Sequence, residues 1–313
     1  MNVKIQNNLI GPKNPIFIVA EIGINHNGDI NIAKKLIDVA IEAGCQAVKF
    51  QKRTVPVVYK KEDLERPREV PREIILNALK RGVLPEENVK RLKDDIENNT
   101  TNGDLKYALE FVEGEYRIID EYCKEKGILW FTSCWDKESV DFIDKFNPPC
   151  YKIASPCLTD DDLLRHTRSK GKLIILSTGM STIEEIEQAV EVLGKDDLIL
   201  LHCVSTYPAK NEELNLRVIQ FYQKKFQPIL IGYSGHEVGL PPSLMAAVLG
   251  ASVIERHITL DRAMWGSDQA ASLEPQGLKC LIRDIRIWEV VKGDGIKCLL
   301  DSEIPIKQKL RRK

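Results

Sequence analysis

Several things are missing from this sequence. Met1 to Pro15 lacks the charged-then-apolar pattern of a secretory signal, and no apolar run approaches the length of a bilayer span. The chain is therefore expected to stay in the cytoplasm without a membrane partner. Neither sign of charge dominates: 45 Lys+Arg face 46 Asp+Glu, a formal net charge of −1. No global field recruits nucleic acid, and any anion site must be local. The 8 cysteines include no CxxC pair, which argues against a zinc knuckle or disulfide frame and for reduced thiols, mostly small core residues. Low-complexity tracts and repeats other than strand–helix alternation are also absent.

What is present is an ordinary globular composition, 313 residues at 43% hydrophobic and 29% charged, enough for one large core or two ordinary ones. Short β-branched or apolar runs alternate with longer amphipathic stretches, as in repeated βα units around a parallel sheet. Strand runs are read at Ile16–Glu21, Gln46–Gln51, Ile128–Thr132, Cys150–Ala154, Lys172–Ser177, Leu198–Cys203, Ile229–Tyr233 and Ser252–Ile258. Helical patterns include Asn31–Ala43, Glu113–Lys126, Lys137–Phe146, Thr182–Leu193, Pro241–Leu249 and Pro275 to about Val291. Eight such units in this length favour an α/β fold of the (β/α)8 TIM-barrel type, with an open sheet plus a second domain as the alternative. The whole chain, 1–313, is read as one barrel with a long insertion after the second strand, at about 52–113. That insertion should hold one or two helices, Arg72–Gly82 and Pro85–Glu97, and serve as a lid or mobile insert. The tail from Asp301 to Lys313 reads as a solvated basic end.

In such a barrel chemistry belongs at the C-terminal ends of the strands. The polar residues found there are Glu21, Lys49 and Gln51, Lys152 and Ser155, Ser177, Ser205 and Tyr207, Ser234 and His236, and Glu255 and His257. Lysines and hydroxyls converging on one mouth suit a small phosphate-bearing anion, while structural Lys–carboxylate pairs are the alternative for either lysine. His236 and His257 are 257 − 236 = 21 residues apart, one βα unit, which sets them on adjacent strand ends. Two imidazoles about 4.8 Å apart in strand spacing can grip one divalent metal, with Asp268, Glu21 or water completing the shell; packed core histidines are the alternative. His202 and His166 read as ordinary structural histidines, and Asn27-Gly28 as a turn. Ser177-Thr178-Gly179-Met180-Ser181 fits either a backbone phosphate cradle or a helix cap at Ser181 or Thr182 with Glu184 or Glu185 in the first turn.

The segments IVAEIGINHNGD (18–29), AVKFQK (47–52), YKIAS (151–155), ILSTGM (175–180), HCVSTYP (202–208), NLRVI (215–219), IGYSGHE (231–237), ERHITLD (255–261), GSD (266–268) and ASLEP (271–275) together resemble the sialic acid synthase family. The resemblance runs from about Pro15 to about Val291. It implies condensation of phosphoenolpyruvate with a sugar aldehyde, an aldose or acylated hexosamine with or without phosphate, to give a 2-keto-3-deoxy sugar acid. It further implies a divalent metal at His236 and His257, Mn2+ first and Mg2+ or Co2+ as alternatives. Catalytic roles fall to Glu21, Lys49, Lys152 and Asp268, and substrate contacts to Gln51, Ser155, Ser177, Ser205, Tyr207, Ser234 and Glu255. A homo-oligomer, dimer or tetramer, is expected. Pro156-Cys157 stands where family members carry a glycine and an acidic residue, which makes a different sugar the expectation, and the antifreeze-like C-terminal domain of full-length relatives is not expected in this chain. LERP (64–67) and LEF (109–111) in the insertion are similar to the mammalian-type enzymes. Two rival readings remain: another 3-deoxy-ulosonate synthase, and an inactive barrel that binds or scaffolds.

Overall fold

A computed structural model describes residues 2–96 and 98–312. Glu97, the end of the second predicted insertion helix, and Lys313 lie outside the described residues. Two short strands, β1 (Val3–Ile5) and β2 (Asn8–Ile10), form an antiparallel hairpin ahead of the barrel. The barrel begins with β3 (Phe17–Gly23), α1 (Ile30–Ala43) and β4 (Ala47–Lys52). The insertion follows as α2 (Val55–Val58), α3 (Lys61–Leu64), α4 (Arg72–Arg81), α5 (Glu86–Asp94) and α6 (Asn102–Leu109). Then come α7 (Glu113–Lys126), β5 (Leu129–Cys134), α8 (Lys137–Asp144), β6 (Tyr151–Ile153), α9 (Asp161–Arg168), β7 (Ile174–Ser177) and α10 (Ile183–Leu193). The chain continues through β8 (Leu198–Cys203), α11 (Arg217–Lys225), β9 (Leu230–Gly235), α12 (Pro241–Val248), β10 (Val253–His257), α13 (Pro275–Val291) and α14 (Ile304–Leu310).

Strands β3 to β10 pair in parallel and in sequence order, and β10 closes on β3, so the fold is a (β/α)8 barrel. All eight strands fall where the apolar runs lie, within about two residues at each end. No helix among the described residues is long and apolar enough to cross a membrane.

Alternation along the strands separates two cores. Outward side chains such as Ile18, Ala20, Val48 and Phe50 pack against Leu36, Ile37 and Ala40 of α1 and their counterparts on the other helices. Inward side chains Phe17, Val19, Ala47, Phe131, Cys150, Ile175, Ile199, Leu201 and Val253 fill the lower interior, and Val3, Ile5 and Ile10 of the hairpin join that cluster. The hairpin was not foreseen, because three-residue strands are too short to show a period.

Among the described residues the insertion holds five helices rather than the expected one or two. Three of them, α2, α3 and α6, are 4 to 8 residues long and carry too few apolar repeats to signal a helix. Helix α6 starts at a capping box in which Thr101 accepts from the Asp104 backbone and the Asp104 carboxylate accepts from the Thr101 backbone. The insertion has its own buried cluster of Ile74, Ile75, Ala78, Leu92, Leu105 and Leu109, against which Ile24 and Trp265 of the barrel loops pack. Apart from half-buried Glu303, the described residues of the tail are exposed, as expected, yet Ile304–Leu310 is helical.

Candidate active site

Two residues beyond the apolar layer, the same inward faces turn polar: Val19 is followed by Glu21, Ala47 by Lys49, Phe131 by Ser133, Cys150 by Lys152, Ile175 by Ser177 and Val253 by Glu255 then His257. These side chains line a cavity of about 300 Å³ at the C-terminal end of the barrel. Register does the gathering, since Glu21 pairs with Lys49 on one side and His257 on the other. Gly23 sits at the bulge beside them with φ +55; a Cβ there would meet Glu21 Oε1 and Gln51 Nε2 at 3.0 Å and His257 Cε1 at 3.4 Å.

The structural pairing expected as the alternative is present at both lysines. Lys49 Nζ lies 2.9 Å from Glu21 Oε2 and 3.6 Å from Glu255 Oε1, and donates to Ser133 Oγ at 2.8 Å. Lys152 Nζ is 3.6 Å from Glu255 Oε1 and donates to Ser177 Oγ at 2.7 Å. Each is paired, and each faces the cavity. Burial drives the Glu21 carboxyl up to about 7 against the pull of Lys49, aided by the charge on Glu255. Glu255 goes the other way: burial opposes its charge, but Lys152 and Lys49 outweigh that and hold it down. Lys152 is depressed by burial, only partly offset by Glu255. Its ammonium is under-compensated, so an anion in the cavity would stabilise it.

Next to Lys152 the hydroxyls close in on one backbone turn. Gly179 N–H donates to Ser155 Oγ at 3.0 Å, and a Cβ on Gly179 would collide with Ser205 Oγ and stand 2.9 Å from Ser155 Oγ and 3.0 Å from Cys203 Sγ. Only glycine permits that approach. The helix cap expected in this segment is present, with Thr182 and Glu185 forming the capping box of α10.

Across the cavity His236 and His257 face each other with ring centroids 5.5 Å apart. His236 Nδ1 is 2.6 Å from the Val204 carbonyl, which fixes its proton there and leaves Nε2 as the lone-pair nitrogen, 3.0 Å from the Tyr207 hydroxyl. His257 Nδ1 is buried without a hydrogen-bond partner, and Asp268 Oδ2 lies 3.8 Å away. Burial lowers both imidazoles to about 4, so both are neutral at pH 7. A neutral imidazole whose other nitrogen is tied to a backbone carbonyl, beside an orphaned nitrogen and a carboxylate, is a donor set that fits a divalent metal. Among the described residues no three His, Cys, Asp or Glu side chains converge closely enough to enclose a metal alone. The fit is thus to an open site completed by water or substrate.

The neighbours of both histidines in the chain hold them in place. Arg256 and Glu237 point outward from the barrel and pair at 2.9 Å, and Glu237 also accepts from Tyr233 and Ser243. This buried network ties the β9 end to the β10 end directly behind the imidazoles.

Every residue anticipated from the sequence lines the cavity. Residues that the sequence did not single out also do so: Ser133, Trp135, Arg53, Tyr59 and Lys106. Ser133 follows the strand-end rule and was findable; Tyr59 and Lys106 lie in the insertion, where no pattern marked them. Cys157, by contrast, is buried with Sγ 3.9 Å from the Trp135 carbonyl and does not line this cavity; Ser155 and Pro156 do. Burial pushes its thiol up to about 12. It is a packing residue.

A model described as the NeuB family matches residues 92–297. The chain is 37% identical over 303 residues to N-acetylneuraminate-9-phosphate synthase of Homo sapiens, covering 96% of this chain and 78% of that protein. It is 33% identical over 306 residues to N,N'-diacetyllegionaminic acid synthase of Legionella pneumophila, covering 95% and 78%. Among solved structures, N-acetylneuraminic acid (sialic acid) synthetase from Leptospira borgpetersenii, in complex with citrate, superposes with a TM-score of 0.79 at 31% identity, covering 100% of this chain and 98% of that one.

Proposed function

This chain belongs to the NeuB family, and on that premise we propose that it condenses phosphoenolpyruvate with an aldose or acylated hexosamine. The products are a sialic-acid-like 2-keto-3-deoxy acid and inorganic phosphate. The reading assigns this to one barrel unit, 1–313, carrying the insertion at 52–113. What carries it is Lys152: a buried ammonium bonded to Ser177, near the Ser155–Gly179 contact, and sharing Glu255 Oε1 with a second buried lysine, Lys49.

Phosphate is held by Lys152 with Ser155, Ser177 and Ser205, and the enolpyruvate carboxylate by Lys49 and Ser234. Glu21 and Glu255 keep the two ammonium groups aimed and charged until substrate arrives. Gln51, bonded to Glu21 at 2.8 Å, and Tyr207 contact the sugar. Asp268, with Oδ2 3.8 Å from His257 Nδ1, serves as the catalytic carboxylate beside the metal site. The chemistry supplied by a divalent metal at His236 and His257, Mn2+ first with Mg2+ or Co2+ as alternatives, is Lewis-acid polarisation of the aldehyde oxygen. A bond forms between C3 of the enol and the aldehyde carbon, whose oxygen takes up a proton. Water adds at C2 and gives up a proton, which balances the one taken up by the aldehyde oxygen; the C2–O bond to phosphate then breaks, and the C2 hydroxyl proton leaves with the phosphate to give the ketone.

Cytoplasmic placement belongs to the same reading. Homo-oligomerisation is supported by the exposed apolar side chains Met245 and Val248 on α12 and Ile287, Val290 and Val291 on α13. The test is phosphate release from phosphoenolpyruvate in a panel of acylated hexosamines and their 6-phosphates with Mn2+. Release that requires an aldehyde and stops on chelation is expected. Absence of release with every aldehyde, while phosphoenolpyruvate and Mn2+ both bind, would overturn the proposal.

A further inference from the structure

Leu201 on β8 belongs to the apolar layer of the barrel interior, and two residues above it the inward position holds Cys203. Its counterparts on the neighbouring strands, Lys152, Ser177, Ser234 and Glu255, line the cavity. The thiol does not. Cys203 is 4% exposed, lies behind Ser155, and has no part in the condensation as written above.

What the sulfur touches is one oxygen of the phosphate cradle. Cys203 Sγ is 3.2 Å from Ser155 Oγ, close enough for a hydrogen bond in either direction, and among the described residues Ser155 is its only hydrogen-bond partner. The same oxygen accepts the Gly179 N–H at 3.0 Å. A serine hydroxyl has two lone pairs and one proton. With Gly179 on one lone pair, the direction of the bond to sulfur decides what Ser155 shows to the cavity. If Ser155 donates to sulfur, a lone pair is left facing an incoming anion and repels it. If the Cys203 S–H donates, both lone pairs are taken and the hydroxyl proton is the one thing left to offer. An anion in the cavity selects the second arrangement, because O–H to a phosphate oxygen is charge-assisted and O–H to sulfur is weak. The three groups then form a chain, S–H to Oγ and O–H to phosphate, in which each bond polarises the next.

We propose that Cys203 is a positioning residue of the phosphate site: its thiol donates to Ser155 Oγ and thereby turns the Ser155 proton toward the phosphate of phosphoenolpyruvate. This rests on the condensation proposed above and adds to it a residue that never meets the substrate. Serine at 203 supplies the same donor. Alanine supplies none, leaving one Ser155 lone pair buried and unpaired and the hydroxyl free to rotate.

Calorimetric titration of the Mn2+-loaded full chain with phosphoenolpyruvate tests this without turnover. Cys203→Ala is expected to weaken binding about three- to tenfold, the worth of one directed hydrogen bond, and Cys203→Ser to restore most of that loss. In phosphate-release assays the Cys203→Ala defect should fall on KM for phosphoenolpyruvate, with kcat and the KM for the sugar little changed. The cycle with Ser155 is decisive: in a Ser155→Ala background Cys203→Ala costs nothing further, since the hydroxyl through which it acts is gone. A full additive loss in the double variant overturns the proposal, as does Cys203→Ala binding like wild type, or Cys203→Ser binding no better than Cys203→Ala. Should Cys203→Ala fail to fold, Cys203→Val, which also lacks a donor, takes its place in the cycle with the same outcomes. The expected Cys203 pattern in binding, without phosphate release for any aldehyde, would sink the condensation and leave the positioning role standing. Aldehyde-dependent release with a flat Cys203 series would do the reverse.

Discussion

The lower and upper halves of the barrel interior are made by the same strands and the same inward positions, two residues apart. Below, Phe17, Val19, Ile175 and Val253 bury apolar surface with the hairpin as a floor. Above, Glu21, Lys49, Lys152 and Glu255 bury charge. Burial is equally complete in both, so burial alone does not distinguish a core from a site. What differs is whether the buried groups have spare bonding capacity: the lower layer has none to offer, while Lys152, Arg53 and His257 each lack full compensation. A charged layer costs desolvation that an apolar layer would recover, so it persists for a reason other than stability.

The largest effect that could break this division lies below. Phe17 is 2% exposed at the base of β3, well away from the cavity lining. Phe17→Ala should cost about 3–5 kcal/mol of unfolding free energy, measured by urea denaturation, while phosphoenolpyruvate affinity at low temperature stays as in the wild type. Loss of affinity in a folded Phe17→Ala protein would show that the halves are coupled.

Next in size is the converse change above. Lys152→Ala should weaken phosphoenolpyruvate binding by about 1.5–3 kcal/mol, ten- to a hundredfold, and leave the protein folded, because Glu255 keeps Lys49 and Ser234 as partners. Calorimetry and a thermal melt on one preparation decide it. A variant that unfolds readily yet binds normally would return Lys152 to a purely structural role.

The strand ends were legible because a period of two brings polar residues together at known positions, and because His236 and His257 stand one βα unit apart. The Arg256–Glu237 pair was not read as structure although both residues lie inside quoted motifs, since only the fold shows that they face outward while their neighbours face in. The insertion was least legible: Lys106 joins the cavity through a short helix whose eight residues carry a weak period, and Tyr59 through a turn of four. Local pattern says nothing of where such pieces land.

A third effect is set by pH and separates the halves by chemistry. His26 stacks 4.1 Å from Phe111 and is 2% exposed, and burial with the Arg81 and Arg53 charges lowers it from 6.5 to about 3. A depressed folded value means that the unfolded chain takes the proton first. Stability is therefore full above about 6.5 and declines as pH falls toward 3, by roughly 2 kcal/mol between pH 7 and pH 5 from this residue. His26→Phe should flatten the stability-versus-pH curve in that window by that amount. The other lowered histidines keep part of the slope. An unchanged slope in the variant would mean that His26 is protonated in the folded state.

The smallest expected effect concerns Cys157, and it tests whether sequence position or side-chain direction defines the upper half. By position this residue stands where the resemblance expects a carboxylate, so a sugar contact would be anticipated. By direction it belongs to the packing: Sγ lies against the Trp135 carbonyl, outside the cavity, in a short 3-10 turn that places Ser155 and Pro156 on the cavity wall instead. A thiol pushed up to about 12 is neutral and a weak hydrogen-bonding group, so it offers a sugar little even if it turned inward. Cys157→Ala is therefore expected to leave the KM for the acceptor sugar within about twofold and to cost about 1 kcal/mol of stability from lost packing. A tenfold rise in that KM, with phosphoenolpyruvate binding intact, would show that the turn opens in solution and that the residue at 157 takes part in choosing the sugar.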